Sequence, residues 1–480
     1  MDMMIGRANE CAQFKRYLSS DKSEFIAVYG RRRVGKTFLI RQACQDRFDF
    51  FVTGIHDAPK NEQLINFALA LQKFSSSERP VVRSNWIMAF HDLITYLETL
   101  PTGPKVIFID ELPWMDTPKS GFIGALENFW NNWAALRNDV KLIVCGSATS
   151  WMLNNLIKSV GGLHNRLTHH IQLEQFSLAE CEEYFKKYGF AYNRKTIAEC
   201  YMIMGGVPFY FSFMEKGKSL HQNIDALFFS ANAPLKDEFN NLYKALFRRS
   251  NHHIEVVTAL SEVGKGLTRK ELLERTKLTD NGAFGTVLEE LEQCGFIRHY
   301  LPFGHSHATS AERLPSDTLF QLIDCFTLFH FHYIARNRYA AENYWTLSMS
   351  SPEHAAWTGL AFERLCLCHI NAIKKSLGIS GVLTSICSWR SHRKLGGAQI
   401  DLLIDRKDET VNVCEMKYYS GEYAISADER ERIDNRLCLL REETGTKKSF
   451  LFTLITSFGY RENANSGGVQ CSLTLDDLFQ

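Results

Sequence analysis

The chain has no apolar run long enough to cross a bilayer. Its strongest stretches, around Lys141 to Cys145 and Cys325 to Ile334, fall well short of the roughly 18 residues required. Met1 to Lys15 has no apolar segment after a basic start, which excludes a signal peptide reading and places the expected location in the cytoplasm, with no membrane partner. Charge of one sign is also lacking. The 55 Lys and Arg residues almost balance the 54 Asp and Glu residues, so no global field draws the chain onto nucleic acid, and any such contact must be local. None of the 13 cysteines forms a CxxC pair, and their odd number fits reduced thiols rather than a disulfide framework. Cys366, Cys368 and His369, or His330 and His332, have ligand chemistry but no matching pair at finger-like spacing, which favours core packing over zinc. Low-complexity tracts and internal repeats are absent as well.

What is present suits several packed cores: 480 residues, 45% apolar and 12% aromatic, or about three domains by length. Over residues 1–174, short apolar strands (Glu24 to Tyr29, Lys105 to Asp110, Lys141 to Gly146, His170 to Leu173) alternate with helical segments. This is the pattern of an α/β parallel sheet covered on both faces. Residues 175–247 read as a helical lid that opens on the capping signal Ser177 to Glu180. Residues 248–336 read as three helices and a hairpin, and 352–480 return to an α/β pattern.

Gly30-Arg31-Arg32-Arg33-Val34-Gly35-Lys36-Thr37 matches GxxxxGK[ST] and lies between a strand and a helix, as phosphate binding requires. The glycines let the loop amides point inward, the helix N-terminus adds positive potential, Lys36 reaches the β and γ phosphates, and Thr37 can ligate Mg²⁺. Val106 to Glu111 is an apolar strand ending in two acids. Asp110 is placed to steady a hydrated Mg²⁺ and Glu111 to polarise an attacking water. The expected cofactors are ATP and Mg²⁺.

On these motifs the chain resembles the AAA+ and STAND-like P-loop ATPases, in particular the prokaryotic family of archaeal-type ATPases. The resemblance implies that Ile5, Gly6 and Arg7 contact the adenine and that Ser147, after the strand Leu142 to Cys145, reads the γ-phosphate. It further implies a GGxP lid motif at Gly205-Gly206-Val207-Pro208, and an arginine finger at Arg166 that acts in trans within a homo-oligomer. Arg166 has an equally good local reading, as a tie for the loop Gly161 to His164.

In the middle module, Thr268 caps a helix through Leu273, and Phe284, Val287, Leu288 and Leu291 form the apolar stripe of the next. The module resembles a winged helix-turn-helix. Its third helix would be the DNA reader, with Asn281 and Thr286 at base edges and Arg269 and Lys270 on phosphates. Against this, Asp280 to Gln293 holds no Lys or Arg and four acids, so a protein-contact or spacer role stands beside DNA binding.

Gln399 to Asp405 and Thr410 to Lys417 should pair as a hairpin about Asp408, which sets Asp401 across from Glu415 with Lys417 two residues on. Two carboxylates can hold one divalent cation while the lysine orients a water or the scissile phosphate. The layout resembles the PD-(D/E)XK nuclease superfamily, a restriction-endonuclease-like α/β fold, and implies that Glu363 is the acid of its first core helix. The proline of the name is replaced by Ile400. Trp389, Arg390, Arg393 and Lys394 form a local basic stretch suited to a phosphate backbone.

The expectation is an ATP-hydrolysing protein that couples nucleotide to DNA binding or to cleavage by a Mg²⁺ nuclease. The alternative is a STAND-like nucleotide switch whose C-terminal domain binds nucleic acid or protein without cutting.

Overall fold

The computed structural model describes residues 4–157, 166–247, 250–305, 314–336, 342–391, 393 and 397–480. It divides into two compact units, Met1–Gln175 with Lys244–Arg248, and Phe176–Tyr243 with Arg249–Gln480. Among the described residues no helix is long and apolar enough to cross a membrane.

The first unit is an α/β layer around a five-stranded, all-parallel sheet. Its strands are β1 (Glu24–Tyr29), β2 (Phe50–Thr53), β3 (Lys105–Asp110), β4 (Val140–Gly146) and β5 (His169–Gln172), in the spatial order β2-β3-β4-β1-β5. Every residue of β1 and β4 is buried, as a strand covered by helices on both faces demands. One face packs Phe25, Phe50, Ile107 and Leu142 against the helices Lys60–Ser75, Trp86–Thr99 and Phe122–Asn132. The other packs Ile26, Val28 and Ile143 against Phe14, Leu39 and Ile40 of Ala8–Leu18 and Lys36–Ala43. The order puts β1 between β4 and β5 and sets the ends of β1, β3 and β4 side by side. That is the crevice at which open parallel sheets bind ligands.

The second unit opens with the helices Leu178–Lys187 and Arg194–Met204, and the first begins on the expected capping box between Ser177 and Glu180. Three helices follow, Asn251–Ser261, Arg269–Thr276 and Gly282–Gln293, and the second is capped by Thr268 and Glu271. Three strands accompany them, β6 (Leu267–Thr268), β7 (Ile297–Pro302) and β8 (Leu319–Leu322). The tip of the β7–β8 hairpin, 306–313, lies outside the described residues.

The helix Pro352–Cys368 precedes three antiparallel strands, β9 (Thr384–Arg390), β10 (Gln399–Arg406) and β11 (Thr410–Lys417). The helix Ala427–Thr444 then leads to β12 (Ser449–Thr456), which runs parallel to β11, and to β13 (Cys471–Thr474). These strands do not stop at the hairpin: β7 pairs with β9 through Leu301 with Cys387 and Pro302 with Ser388, so one eight-stranded sheet runs β13-β12-β11-β10-β9-β7-β8-β6. A two-residue pairing has no hydrophobic pattern of its own, which is why periodicity places an interruption there.

Candidate functional site

In the first unit, β1 turns into the helix Lys36–Ala43 through the loop 30–35, and the backbone of that loop explains its glycines. Gly30 has φ 141°, and a Cβ there would lie 2.2 Å from the Leu173 carbonyl oxygen. Gly35 caps the helix at φ 95° with open space around it. The Lys36 side chain is buried and folds back over the loop. Its ammonium donates to the carbonyls of Gly30 and Arg31, both at 2.9 Å, and to Ser147 Oγ at 3.1 Å. Arg31 is buried, while Arg32 and Arg33 are half-buried and Arg33 adopts a left-handed backbone at φ 72°.

The two acids at the end of β3 take separate partners. Asp110 accepts from Thr37 Oγ1 at 3.0 Å, from Cys145 Sγ at 2.6 Å and from the Glu111 amide at 2.9 Å. Burial raises its carboxyl above the ordinary range, the Glu111 charge adds to this, and the Cys145 and Thr37 hydrogen bonds oppose it. Glu111 leaves the strand with a left-handed backbone, φ 46°, and accepts from Ser147 Oγ at 2.6 Å and the Ser147 amide at 3.1 Å. Lys36, Ser147 and Glu111 therefore form one hydrogen-bonded chain, and Thr37 and Asp110 a second. Arg7, at the N-terminus of Ala8–Leu18, is buried and donates to the Glu174 carbonyl at 2.6 Å, with Ile5 buried beside it and Gly6 at φ 58°. Arg166 sits exposed in a turn before β5. The loop Gly161 to His164, invoked as its local partner, lies outside the described residues.

The donor set fits a magnesium nucleotide. Thr37 Oγ1 and an Asp110 oxygen converge within 3.0 Å at the mouth of a glycine loop, and Lys36 carries the charge that phosphate oxygens would take from its present carbonyl partners. Cys145 is the residue here that motif reading missed. Its only sequence signal is the parallel register, which pairs Ile109 with Val144 and so brings the next residue, Cys145, beside Asp110.

In the second unit, Lys417 is paired with Glu415 on β11, and Asp401 lies on the neighbouring strand β10. Leu402 pairs with Cys414 and Leu403 with Val413, and Asp401 lies one residue beyond the last paired position, where the pairing of β10 with β9 is irregular between Ile400 and Leu403. Glu415 is bound on both oxygens, by Lys417 Nζ at 3.0 Å and Arg436 Nη1 at 2.8 Å. Burial alone would raise its carboxyl, but these two cations hold it below the ordinary value. Asp401 accepts from Gln399 at 2.8 Å, and burial raises its carboxyl. Glu363, on the helix Pro352–Cys368, is pushed up to about 7 by burial; the charges of Asp401 and Glu415 also raise it, against Arg364 and Lys417. Among the described residues no group of three acids, histidines or cysteines is arranged to hold a metal ion. Of the zinc candidates, His369 is buried and accepts from the Leu178 amide at 3.0 Å, with its ring otherwise against the Leu365 carbonyl at 2.8 Å.

Arg436 is the functional residue that sequence reading missed here, because it lies on the polar helix Ala427–Thr444 with no motif around it. The described arginines of the basic stretch are ion-paired with acids from elsewhere in the chain. Arg390 is bound to Glu271 at 2.9 Å and to Gln399 at 3.1 Å, Arg393 to Glu442 at 2.8 Å, and Trp389 is buried; Lys394 lies outside the described residues. Arg269, expected on phosphate, is instead paired with Asp280 at 2.7 Å and stacked on Phe284, and Asn281 spends its side chain as an N-cap. A cavity of about 670 Å³ on the same sheet is lined by His305, Trp389, Asp405 and Lys448 among others, and none of Glu363, Asp401, Glu415 or Lys417 borders it.

The phosphate-binding loop, the acid pair and the crevice of a parallel sheet define a Walker-type nucleotide site. Residues 4–212 match the family described as "ATPase domain predominantly from Archaea". It is 23% identical over 420 residues to an uncharacterized protein of Methanocaldococcus jannaschii, a match that covers 87% of this chain and 88% of the relative. Among solved structures it is similar to a Walker-type ATPase of Pyrococcus abyssi (TM-score 0.45, 15% identity, 68% of this chain and 95% of that one). It is also similar to the ORC2 protein of Aeropyrum pernix in ADPNP and ADP complexes (TM-score 0.41, 14% identity, 71% and 96%).

Proposed function

We propose that the chain binds and hydrolyses ATP with Mg²⁺ at the loop 30–37 and couples this to DNA through a Mg²⁺-dependent, nuclease-like C-terminal domain. For the first half, Lys36 holds the β and γ phosphates and Thr37 and Asp110 hold the metal. Glu111 orients the attacking water once Ser147 turns toward the γ-phosphate, and Ile5, Gly6 and Arg7 border the adenine. A bound Mg²⁺ would supply charge neutralisation at the phosphate oxygens. Arg166, exposed ahead of β5, is the residue a neighbouring copy would receive as a finger.

For the second half, the observation that carries the reading is the Glu415–Lys417 pair at 3.0 Å on β11, with Asp401 on the paired strand β10. Two helices, Pro352–Cys368 and Ile370–Ser376, three antiparallel strands, a further helix and a parallel strand suit a PD-(D/E)XK-like domain, and the three helices with the β7–β8 hairpin suit a winged helix. Asp401 and Glu415 would hold the divalent ion, and Lys417 would orient the water or phosphate. The test is incubation of purified protein with labelled linear, branched and single-stranded DNA, with Mg²⁺ or Mn²⁺, with and without ATP. Products should appear and should vanish in Asp401→Ala and Glu415→Ala while ATP turnover persists; undiminished cutting by either variant refutes the nuclease reading.

A specific observation favours the second reading, a nucleotide switch with a non-cleaving C-terminal domain. Both Glu415 oxygens are occupied by Arg436 and Lys417, so a divalent ion would have to displace a cation already in place. That reading predicts DNA or protein retention without products in the same assay.

A further inference from the structure

The two oxygens of Asp110, the buried last residue of β3, have different partners. Oδ1 accepts from the Cys145 thiol at 2.6 Å and from the Glu111 amide at 2.9 Å, whereas Oδ2 accepts from Thr37 Oγ1 at 3.0 Å. One oxygen is thus spent on β4 and the backbone. The other is turned toward the helix Lys36–Ala43 that follows the phosphate loop.

Cys145, the penultimate residue of β4, is fully buried in the cluster that holds Val28, Leu39, Ile40, Phe108 and Ile143. A valine or an alanine would suit those apolar surroundings equally well, so packing alone does not call for a thiol there. What the thiol adds is a donor. Sealed from water it keeps its proton, and an ionised carboxylate can only accept, so the bond runs from sulfur to Oδ1. The torsion that turns an aspartate carboxylate is broad and close to two-fold, and with the Glu111 amide as sole donor either oxygen could take that bond. A second donor on Oδ1, fixed by the parallel register of β3 and β4, removes this freedom.

We propose that Cys145 is a positioning residue for magnesium: its thiol pins Oδ1 of Asp110 and thereby presents Oδ2, beside Thr37, to the metal of a bound nucleotide. The inference rests on the nucleotide reading above and adds to it a side chain that acts through Asp110. Mg²⁺ demands a near-octahedral set of oxygens, so an oxygen free to swing away binds it less well. Losing an outer partner that orients a ligating carboxylate costs about tenfold or more in metal affinity.

The test is calorimetry on the full-length chain, with ATP titrated at a series of Mg²⁺ concentrations and again in EDTA. Cys145→Ala and Cys145→Val should raise the Mg²⁺ concentration needed for half-maximal tightening of ATP by about tenfold. Their affinity for ATP in EDTA should match that of the unaltered chain. Cys145→Ser, which keeps a donor, should restore the original Mg²⁺ requirement. Cys145→Val, close to cysteine in size, carries the comparison if the cavity left by alanine unfolds the chain. A role in packing alone would weaken ATP binding equally with and without metal. That result overturns the proposal, as does an unchanged Mg²⁺ requirement in the alanine and valine variants, or a folded serine variant as deficient as they are. Each of these leaves the nucleotide reading standing. Absence of ATP binding by the unaltered chain at saturating Mg²⁺ overturns that reading and the proposal with it.

Discussion

Replacing Glu363 by Gln removes a carboxyl that the fold holds at about 7, against an ordinary glutamate value of 4.5. Because the folded value is the higher one, Glu363 leaves stability intact at acid pH. It costs stability as pH rises from about 4.5, where the unfolded chain begins to ionise, to about 7, where the folded chain ionises too; above that the cost is constant. At about 1.4 kcal/mol per pH unit the ceiling is about 3 kcal/mol. The side chain keeps 29% of its surface in water, which screens the neighbouring charges, so about 1–2 kcal/mol is the working figure. Glu363→Gln should therefore match the unaltered protein near pH 4.5 and gain on it steadily up to about pH 7. Thermal unfolding in metal-free buffer should show a rise in Tm of a few degrees over that window. A Tm difference that stays flat between those limits would show that Glu363 titrates as an ordinary surface acid and would undo its placement among Asp401 and Glu415.

Arg436→Ala should destabilise the second unit by about 1–3 kcal/mol at neutral pH, since a charged hydrogen bond to Glu415 is lost. Glu415 is held low in the fold, so the deficit should shrink as pH falls through the acid range, and chemical denaturation at two pH values measures it. Gly30→Ala should cost about 2 kcal/mol or more in the first unit, seen as a lowered Tm, because its Cβ would strike the Leu173 carbonyl at 2.2 Å. Sedimentation with an ATP analogue should reveal an oligomer in which Arg166→Ala lowers turnover about a hundredfold or more. A monomer under those conditions returns Arg166 to a local role.

Legibility in the sequence followed the range of the interactions. The loop 30–37 and the strand ending at Asp110 and Glu111 could be read directly, because strand, glycines and helix are consecutive. The β10–β11 register could be read as well, because a short polar turn fixes which residues face each other. Strand β2, Phe50–Thr53, which lies at the sheet edge beside β3, was not among the strands read from the sequence. Cys145 and Arg436 escaped because their roles depend on neighbours far along the chain, Asp110 and Glu415. The partners of Arg390 and Arg393, the acids Glu271 and Glu442, escaped for the same reason, since distant helices supply them.

The central claim is that the amides of the loop 30–35 with Lys36, Thr37 and Asp110 clasp a magnesium nucleotide. Titration calorimetry of the purified chain with ATP and Mg²⁺ should register one site per chain. Lys36→Ala should weaken it by about a hundredfold or more, through loss of the charge that holds the β and γ phosphates. No heat from any adenine nucleotide in the unaltered protein, or equal affinity in Lys36→Ala, would contradict the account.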